Sequence, residues 1–156
     1  YSSINDTIIV GGFGYSSVRI SFPYLHRVIA GMKDPVLVDA RIKMYVLNSD
    51  ITSETPLSRI VPEEGSSPSS SSEIIDVRKA GANYDGYFKM ADSSYQLNIT
   101  MFLAREFKKL ESTVTGEPSS LLLMYKKGDD IGVSIIGGPL NPQKPLKVTL
   151  IIAYKE

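Results

Sequence analysis

The chain has 156 residues, 42% of them hydrophobic, and a formal net charge of zero, which is typical of one globular domain with a substantial core. Without a basic excess, the sequence gives no basis for a nucleic-acid-binding surface or an anionic-membrane-binding surface. The absence of cysteine and the presence of a single histidine, His26, exclude disulfides, thiolate metal sites and any multi-histidine metal site within one chain.

The N-terminal segment predicts two strands joined through glycines. Thr7–Val10 is an apolar strand followed by the sequence GGFG. A strand that runs into such glycines resembles a dinucleotide-binding turn, but Ser17 stands where the third glycine belongs. The residues after Ser17 alternate as a strand instead of opening a helix, so a glycine hairpin or bulge is favoured.

A short helix is predicted next, because apolar residues recur with helical spacing after Pro23. Its apolar face consists of Leu25, Val28, Ile29 and Met32, and proline suits the first turn of a helix. His26 is expected on the outer face as a surface residue; a Ser-His-Asp triad in this chain would have to use it. Asp34 and Pro35 predict a turn that leads into the following strand.

The clearest strand is Val36–Leu47, where apolar and polar side chains alternate. The pattern commits one face to the core, namely Ala40, Ile42, Met44 and Val46. The opposite face, directed to water, carries Asp39, Arg41, Lys43 and Tyr45. We therefore expect this strand to be central in the fold.

The middle of the chain predicts short elements around a low-complexity segment. Leu57–Val61 and, more weakly, Ile74–Val77 are predicted strands, and the serine-rich residues Glu63–Glu73 between them predict a flexible insertion in one domain that spans residues 1–156. Tyr95, Leu97 and Ile99 alternate as another strand. Thr100 is then expected to cap a helix from Met101 to about Leu110.

The C-terminal third predicts three further strands. Ser120–Tyr125 is too apolar for a sheet edge, Gly132–Ile136 follows a turn at KKGDD, and Lys147–Tyr154 directs Val148, Leu150 and Ile152 to one side. The chain thus predicts about eight strands with no βαβ rhythm and two short helices in connections. This pattern favours an all-β fold, a jelly-roll-like antiparallel β-sandwich.

Several short sequence motifs, taken in their order along the chain, resemble those of an uncharacterised domain family of secreted envelope lipoproteins from Bacteroidota. They are GGFG before Phe22–Leu25, the alternation at Val38–Tyr45, Asn83–Asp85 before Tyr95–Thr100, Leu121–Tyr125 before Ile135–Pro139, and the closing Lys147–Lys155. The resemblance runs from about Thr7 to Lys155. The chain departs from the family in its serine-rich insertion and in Ala104-Arg105, where the family's helix tends to carry glutamine.

The resemblance implies a compartment and a broad role. It implies location in the periplasm or at the cell surface, as an outer-membrane lipoprotein whose lipid anchor would lie upstream of Tyr1. The motifs are also similar, more distantly, to carbohydrate-binding jelly-roll repeats that accompany polysaccharide-degrading domains. A polysaccharide or another envelope protein is therefore the expected partner, and the sequence contains no apolar run of about 18 residues that predicts a transmembrane helix.

Candidate binding residues follow from the chemistry of sugar recognition, which uses exposed aromatic rings and planar polar groups. Tyr45 shares the water face of the central strand with Asp39 and Arg41, and Tyr84 and Tyr87 occupy a turn-rich segment. These five residues are the candidate ligand site. The alternative for Tyr84 and Tyr87 is that they cover one end of the sandwich and are structural.

The acidic pairs give only weak candidates for chemistry. Glu63-Glu64 and Asp129-Asp130 lie in polar segments that would not raise a carboxyl pKa for acid–base catalysis. Asp129 and Asp130, with Asp50, are candidate Ca²⁺ ligands, although no known ligand spacing is present and ordinary turn acids are the alternative. We predict no cofactor and no enzymatic activity. The expected function is a non-catalytic envelope module that binds glycan or, alternatively, a structural or protein-interaction module.

Overall fold

The computed structural model describes residues 7–11, 17–23, 25–47, 56–65, 67–112, 121–125 and 133–155. The strands in these parts of the chain are β1 (Thr7–Gly11), β2 (Val18–Ile20), β3 (Lys33–Tyr45), β4 (Ile60–Glu64), β5 (Ser72–Glu73), β6 (Ser94–Asn98), β7 (Leu121–Tyr125), β8 (Val133–Gly137) and β9 (Lys147–Lys155). The helices are α1 (Leu25–Ile29), α2 (Ile75–Ala80) and α3 (Thr100–Ser112), with short 3-10 turns at Pro68–Ser70 and Gly81–Asn83.

All strand pairs described in the structure are antiparallel. One sheet has the order β2-β7-β4-β5, and a second contains β6-β3-β9. The pair β1-β8 joins the second sheet where Val46 bridges Ile136 and the N–H of Leu47 donates a 2.8 Å hydrogen bond to the carbonyl of Ile135. The resulting orders, β1-β8-β3-β6 and β2-β7-β4-β5, are those of a jelly roll, which confirms the predicted all-β antiparallel sandwich.

Strand β9 lies along the same edge of β3 as β8, beyond the point where β8 contacts that edge. The nine residues from 138 to 146 separate β8 from β9. This loop folds tightly over Gly137, where an added Cβ would lie 1.9 Å from the carbonyl oxygen of Lys144. Glycine is therefore needed at position 137, because any side chain would collide with backbone.

The core residues of β3 are those predicted from its alternation. Ala40, Ile42, Met44 and Val46 are between 0% and 4% exposed, and they belong to one cluster that also includes Leu121 of the other sheet. Strand β7 is internal to its sheet, between β2 and β4, as its apolar sequence predicts. Burial on both faces is what allows so continuous an apolar run.

The alternation of β3 is interrupted toward its N-terminal end. Asp34 and Pro35, predicted to form a turn, lie inside β3, where Asp34 has a φ of 48°. The pairing with β9 shifts register between Lys33 and Val36 and again between Leu37 and Asp39. A bulge of this kind turns the strand, so the faces of Val36 and Val38 do not follow from simple alternation.

The helices differ in part from the sequence prediction. Helix α1 buries Leu25, but Val28 is 43% exposed instead of facing the core. The prediction of a strand at Ile74–Val77 is wrong, since Ile75 begins α2. The prediction of the next helix is confirmed: α3 runs from Thr100 to Ser112 and buries Phe102, Leu103 and Phe107.

The cap of α3 is not the predicted one. The side-chain carbonyl of Asn98 accepts a 2.9 Å hydrogen bond from the N–H of Thr100. The hydroxyl of Thr100, predicted as the cap, instead accepts a 2.9 Å hydrogen bond from the N–H of Ala40. Thr100 therefore ties the start of α3 to the centre of β3.

The serine-rich segment has regular structure at both ends. Glu63 and Glu64 belong to β4 and pair with Glu73 and Ser72 of β5, and the 3-10 turn Pro68–Ser70 lies between them. The predicted strand at Leu57–Val61 starts later, at Ile60. Strand β4 thus extends two residues into the segment predicted as a flexible insertion, because its backbone pairing with β5 continues past its apolar residues.

Candidate functional site

The outer face of the sheet β6-β3-β9 carries three of the predicted binding residues. The register of β3 against its neighbours places Arg41 between Asn98 and Thr149, and Lys43 between Gln96 and Lys147. Asp39 and Tyr45 lie two residues to either side of these positions and share the same face of β3. The structure thus brings Asp39, Arg41 and Tyr45 together with polar residues of both neighbouring strands.

The charges on this outer face are largely paired with one another. The Arg41 guanidinium lies 3.0 Å from the Asp39 carboxylate, and the Lys43 ammonium lies 2.6 Å from the Asp92 carboxylate. The hydrogen bond between Lys43 and Asp92 raises the pKa of Lys43 and lowers that of Asp92. Both groups are thereby held in their charged forms, and a ligand that needed either of them would have to compete with its partner.

The ring of Tyr45 is approached by two ammonium groups. The Nζ atom of Lys43 lies 5.0 Å from the ring centroid, and the Nζ atom of Lys147 lies 5.9 Å from it. Both distances are within the range of cation–π attraction. A sugar that stacks on Tyr45 would have to displace at least one of these ammonium groups if it used the face that they approach.

Tyr84 is a core residue and does not belong to an exposed site. Its side chain is 3% exposed, and its hydroxyl donates a 2.8 Å hydrogen bond to the carbonyl of Asn98. Burial raises the pKa of the Tyr84 hydroxyl well above its ordinary value. The prediction that Tyr84 is available to bind ligand is therefore corrected, since its ring and its hydroxyl are both used inside the fold.

Tyr87 is exposed, but it lies at a different place from Tyr45. It is bridged to Arg59, just before β4, and it is 50% exposed. The Arg59 guanidinium lies 4.6 Å from the centroid of the Tyr87 ring and donates a 2.9 Å hydrogen bond to the carbonyl of Tyr84. The Arg59 guanidinium thus lies against one face of the Tyr87 ring. Tyr87 lies beside β4, in the other sheet from Tyr45.

The candidate Ca²⁺ ligands Asp129, Asp130 and Asp50 lie outside the residues that the structure describes. Within the described residues, no group of three or more histidine, aspartate or glutamate side chains has the arrangement of a metal site. The helices of this same part of the chain include none that is long and apolar enough to cross a membrane.

The two buried carboxylates of the described fold, Asp76 and Glu106, have hydrogen-bond partners within it. Asp76 accepts hydrogen bonds of 2.8 Å from the backbone N–H groups of Met101 and Phe102. Glu106, which is 1% exposed, accepts a 2.8 Å hydrogen bond from the ammonium of Lys109. Asp76 thereby links α2 to the start of α3, whereas Lys109, the partner of Glu106, lies on α3 itself.

The sequence did not predict a ribbon of two strands, whose exposed apolar side chains do not contribute to the core. Strand β6 pairs with β3 only from Arg41 to Tyr45, and the backbone of Ala40 is bonded to Ile99 and Thr100 just beyond β6. Among the described strands, residues 33–39 of β3 therefore pair with β9 alone. We call these residues and β9 the β3–β9 ribbon. Its exposed apolar side chains are Val36 (61%), Val38 (56%), Val148 (41%), Ile151 (52%) and Tyr154 (58%).

The outer edge of β9 is free within the part of the chain that the structure describes. Strand β3 is its only partner there, and the strand is nine residues long. Of the three residues predicted to face one side of this strand, Leu150 and Ile152 are half-buried, whereas Val148 is exposed. The sequence feature that could have indicated this edge is the uncharged stretch between Lys147 and Lys155 in the last strand.

Comparisons of the chain with protein-family models, with curated proteins and with solved structures found no match.

Proposed function

We propose that this domain is a non-catalytic protein-interaction module of a cell-envelope assembly, and that it binds its partner through the β3–β9 ribbon. The observation that carries the proposal is the edge of β9 that no described strand pairs with, combined with the exposed apolar side chains beside it. A free edge presents unpaired backbone N–H and C=O groups to a strand from another chain. Strand addition of this kind supplies affinity from the main chain and specificity from alternate side chains.

Within the described fold, strand β9 lacks most of the features by which proteins protect an edge from pairing. Such features are short length, proline, charged side chains and coverage by another element. Between Lys147 and Lys155, β9 has seven uncharged residues, VTLIIAY, without proline. An edge this long and apolar favours association, so its retention on the surface fits a binding role.

The exposed apolar side chains lie on both strands of the ribbon. Val36 and Val38 come from β3, and Ile151 and Tyr154 come from β9. Each of these side chains is more than half exposed. Burying such side chains against a partner stabilises a complex by about 25 cal/mol per Å² of apolar surface before the costs of association are subtracted.

Placement in the periplasm or at the cell surface rests on the family resemblance of the ordered sequence motifs. The proposal makes the domain one part of an envelope lipoprotein that is anchored upstream and that contacts another envelope protein. Its partner would contribute an extended segment, since that is the shape that β9 can pair with.

Site-specific photocrosslinking tests this proposal in living cells. A photoreactive amino acid in place of Ile151, on the ribbon, is expected to crosslink to one partner protein. The same amino acid in place of Met90, which is 86% exposed but lies in the turn before β6, serves as the control. Equal crosslinking at the two positions, or none at position 151, would contradict the proposal.

Glycan binding on the outer face of the sheet is a second candidate function. The gathering of Asp39, Arg41 and Tyr45 beside Gln96 supports it, because these groups combine planar hydrogen-bonding side chains with an aromatic ring. Binding of the domain to a broad glycan array, with loss of the signal in Tyr45→Ala and its retention in Tyr87→Ala, is the expected result. Absence of binding across the array would exclude this candidate.

A further inference from the structure

We infer that the partner segment is an extended strand of a different protein, with alternating apolar side chains and an acidic residue at each end. This inference rests on the proposed function, and it specifies the chemistry of the segment that pairs with β9.

The two faces of β9 would contact different kinds of side chain on a paired strand. The register with β3 places Val148, Leu150 and Ile152 opposite Ile42, Ala40 and Leu37 on the inner face. Side chains directly opposite each other on neighbouring strands lie close together and contribute to pairing. A strand added at the free edge is therefore stabilised by apolar side chains at every second position, beside this inner row.

The outer face of β9 is basic at both ends. Lys147 and Lys155 lie eight residues apart and point to the same side as Ile151, because strand side chains alternate. An added strand is expected to match these two lysines with a carboxylate at each end. Opposite charges on directly facing positions favour pairing, whereas like charges oppose it.

Neither lysine has a strong partner among the described residues. Lys147 faces Lys43 across the β3–β9 pair, and no described carboxylate forms an ion pair with it. Lys155 lies 2.9 Å from Asp34, but their side chains are 72% and 62% exposed, and exposed pairs of this kind contribute little. A carboxylate from the partner strand would therefore meet a lysine without a described carboxylate partner at Lys147, and at Lys155 it would compete with the exposed carboxylate of Asp34.

The same charges disfavour a second copy of this chain as the partner. A two-fold axis pairs identical strands antiparallel. With full overlap of β9 on its copy, the axis passes through Ile151, and Lys147 lies opposite the second copy's Lys155 at both ends of the pair. Shifting the strands to separate the lysines leaves fewer residues paired, so a different protein with acidic ends is the better match.

Two labelled nonapeptides test this inference against the purified domain. The acidic peptide EVTVTVTVE and the basic peptide KVTVTVTVK share the alternation and differ only at their ends. At low ionic strength the acidic peptide should bind about tenfold more tightly by fluorescence anisotropy. The preference should shrink as salt is added, because the end charges are exposed.

A charge-reversed domain provides the decisive comparison. In the double variant Lys147→Glu and Lys155→Glu, the preference should reverse in favour of the basic peptide. The matched control, Lys79→Glu with Lys108→Glu, changes the net charge equally at exposed positions of α2 and α3 and should keep the preference for the acidic peptide. Circular dichroism of each variant would establish that it remains folded.

The outcomes separate this inference from the proposed function. Equal binding of both peptides would overturn the acidic-partner inference and leave strand addition standing. Self-association of the domain in analytical ultracentrifugation, relieved by either peptide, would also overturn it, because the partner would then be a second copy. Failure of both peptides to bind, with amide exchange in β9 unchanged, would overturn the inference together with the strand-addition mechanism.

Discussion

The carboxylate of Asp76 closes the N-terminal end of α3 from a different helix: its Oδ2 atom accepts a 2.8 Å hydrogen bond from the backbone N–H of Phe102. Its Oδ1 atom accepts the corresponding bond from Met101. The first N–H groups of a helix have no partner within it, and burial of Phe102 removes water as a substitute. Asp76 therefore holds α2 and α3 together and supplies negative charge at the positive end of α3.

Substitution of Asp76 by asparagine is expected to destabilise the domain by about 1–2 kcal/mol. The amide can accept from one of the two N–H groups, but its NH₂ group cannot accept from the other. Urea denaturation followed by circular dichroism measures the change. The control is Asp34→Asn, which removes an exposed ion pair with Lys155 and should change stability by less than about 1 kcal/mol. Equal losses in both variants would contradict the role of Asp76.

The pH dependence of stability should differ in sign between Asp76 and Asp92. Burial raises the pKa of Asp76 above 3.8, and the hydrogen bonds from Met101 and Phe102 offset this only in part. The stability that results is present in full below pH 3.8 and is lost as the pH rises through the folded pKa. The free energy of unfolding of the native protein minus that of Asp76→Asn should therefore fall as pH rises from 3.5 to about 7.

The corresponding difference for Asp92→Asn should rise over the same pH range. The hydrogen bond from Lys43 lowers the pKa of Asp92, so its contribution is present above 3.8 and is lost as pH falls through the folded pKa. Urea denaturation at a series of pH values gives both differences. Parallel trends for the two variants would show that the environments of these carboxyl groups are not those described here.

Removal of the Tyr95 hydroxyl should destabilise the core by about 1–3 kcal/mol. That hydroxyl donates a 2.6 Å hydrogen bond to the carbonyl of Leu57 and lies 2.7 Å from the hydroxyl of Ser134. Because Ser134 also accepts from the N–H of Leu57 at 2.9 Å, the three residues form a closed buried network. In Tyr95→Phe, the carbonyl and the serine hydroxyl each lose a partner away from water.

Tyr87→Phe is the matched control for the Tyr95 variant, because Tyr87 is half exposed. Its loss of a hydroxyl should change stability by less than about 0.5 kcal/mol. Thermal and urea unfolding of the two variants, measured side by side, give the comparison. A Tyr95→Phe protein as stable as the control would show that the buried network contributes nothing net.

The face assignment of β3 predicts opposite outcomes at neighbouring positions. Ile42→Asp should unfold the domain, because Ile42 is 0% exposed and the carboxylate would lie in the core without a partner. Lys43→Gln should change stability by less than about 1 kcal/mol, since it removes only the partly exposed ion pair with Asp92. Soluble yield and circular dichroism distinguish the two results, and equal tolerance of both would refute the assignment.

The fold class and the core face of β3 follow from the sequence because they depend on local periodicity. Ala40, Ile42, Met44 and Val46 alternate with polar residues, and only a half-buried strand satisfies that spacing. The apolar run at β7 likewise requires burial on both faces. The same periodicity places Asp39, Arg41 and Tyr45 on one surface, which the structure shows for their positions in β3.

Features that depend on which segments meet in space were decided by the tertiary structure. Tyr84 is buried, and its hydroxyl donates a hydrogen bond to the carbonyl of Asn98, a contact between residues 14 apart that no periodicity signals. Asp76 lies in a helix, where its carboxylate caps α3, although its neighbours are apolar enough to suggest a strand. Local sequence cannot report a partner supplied by another element.

Strand β9 shows both what local sequence determines and what only the tertiary structure determines. The sequence by itself determined that a strand lies at Lys147–Tyr154, because the residues after Lys147 are mostly apolar and several are β-branched. Only the tertiary structure decided that this strand has one neighbouring strand among the described residues. It also decided that β9 pairs with the part of β3 that β6 does not reach. The physical reason is that backbone N–H and C=O groups are the same in every strand, so the number of neighbours depends on how the whole chain folds.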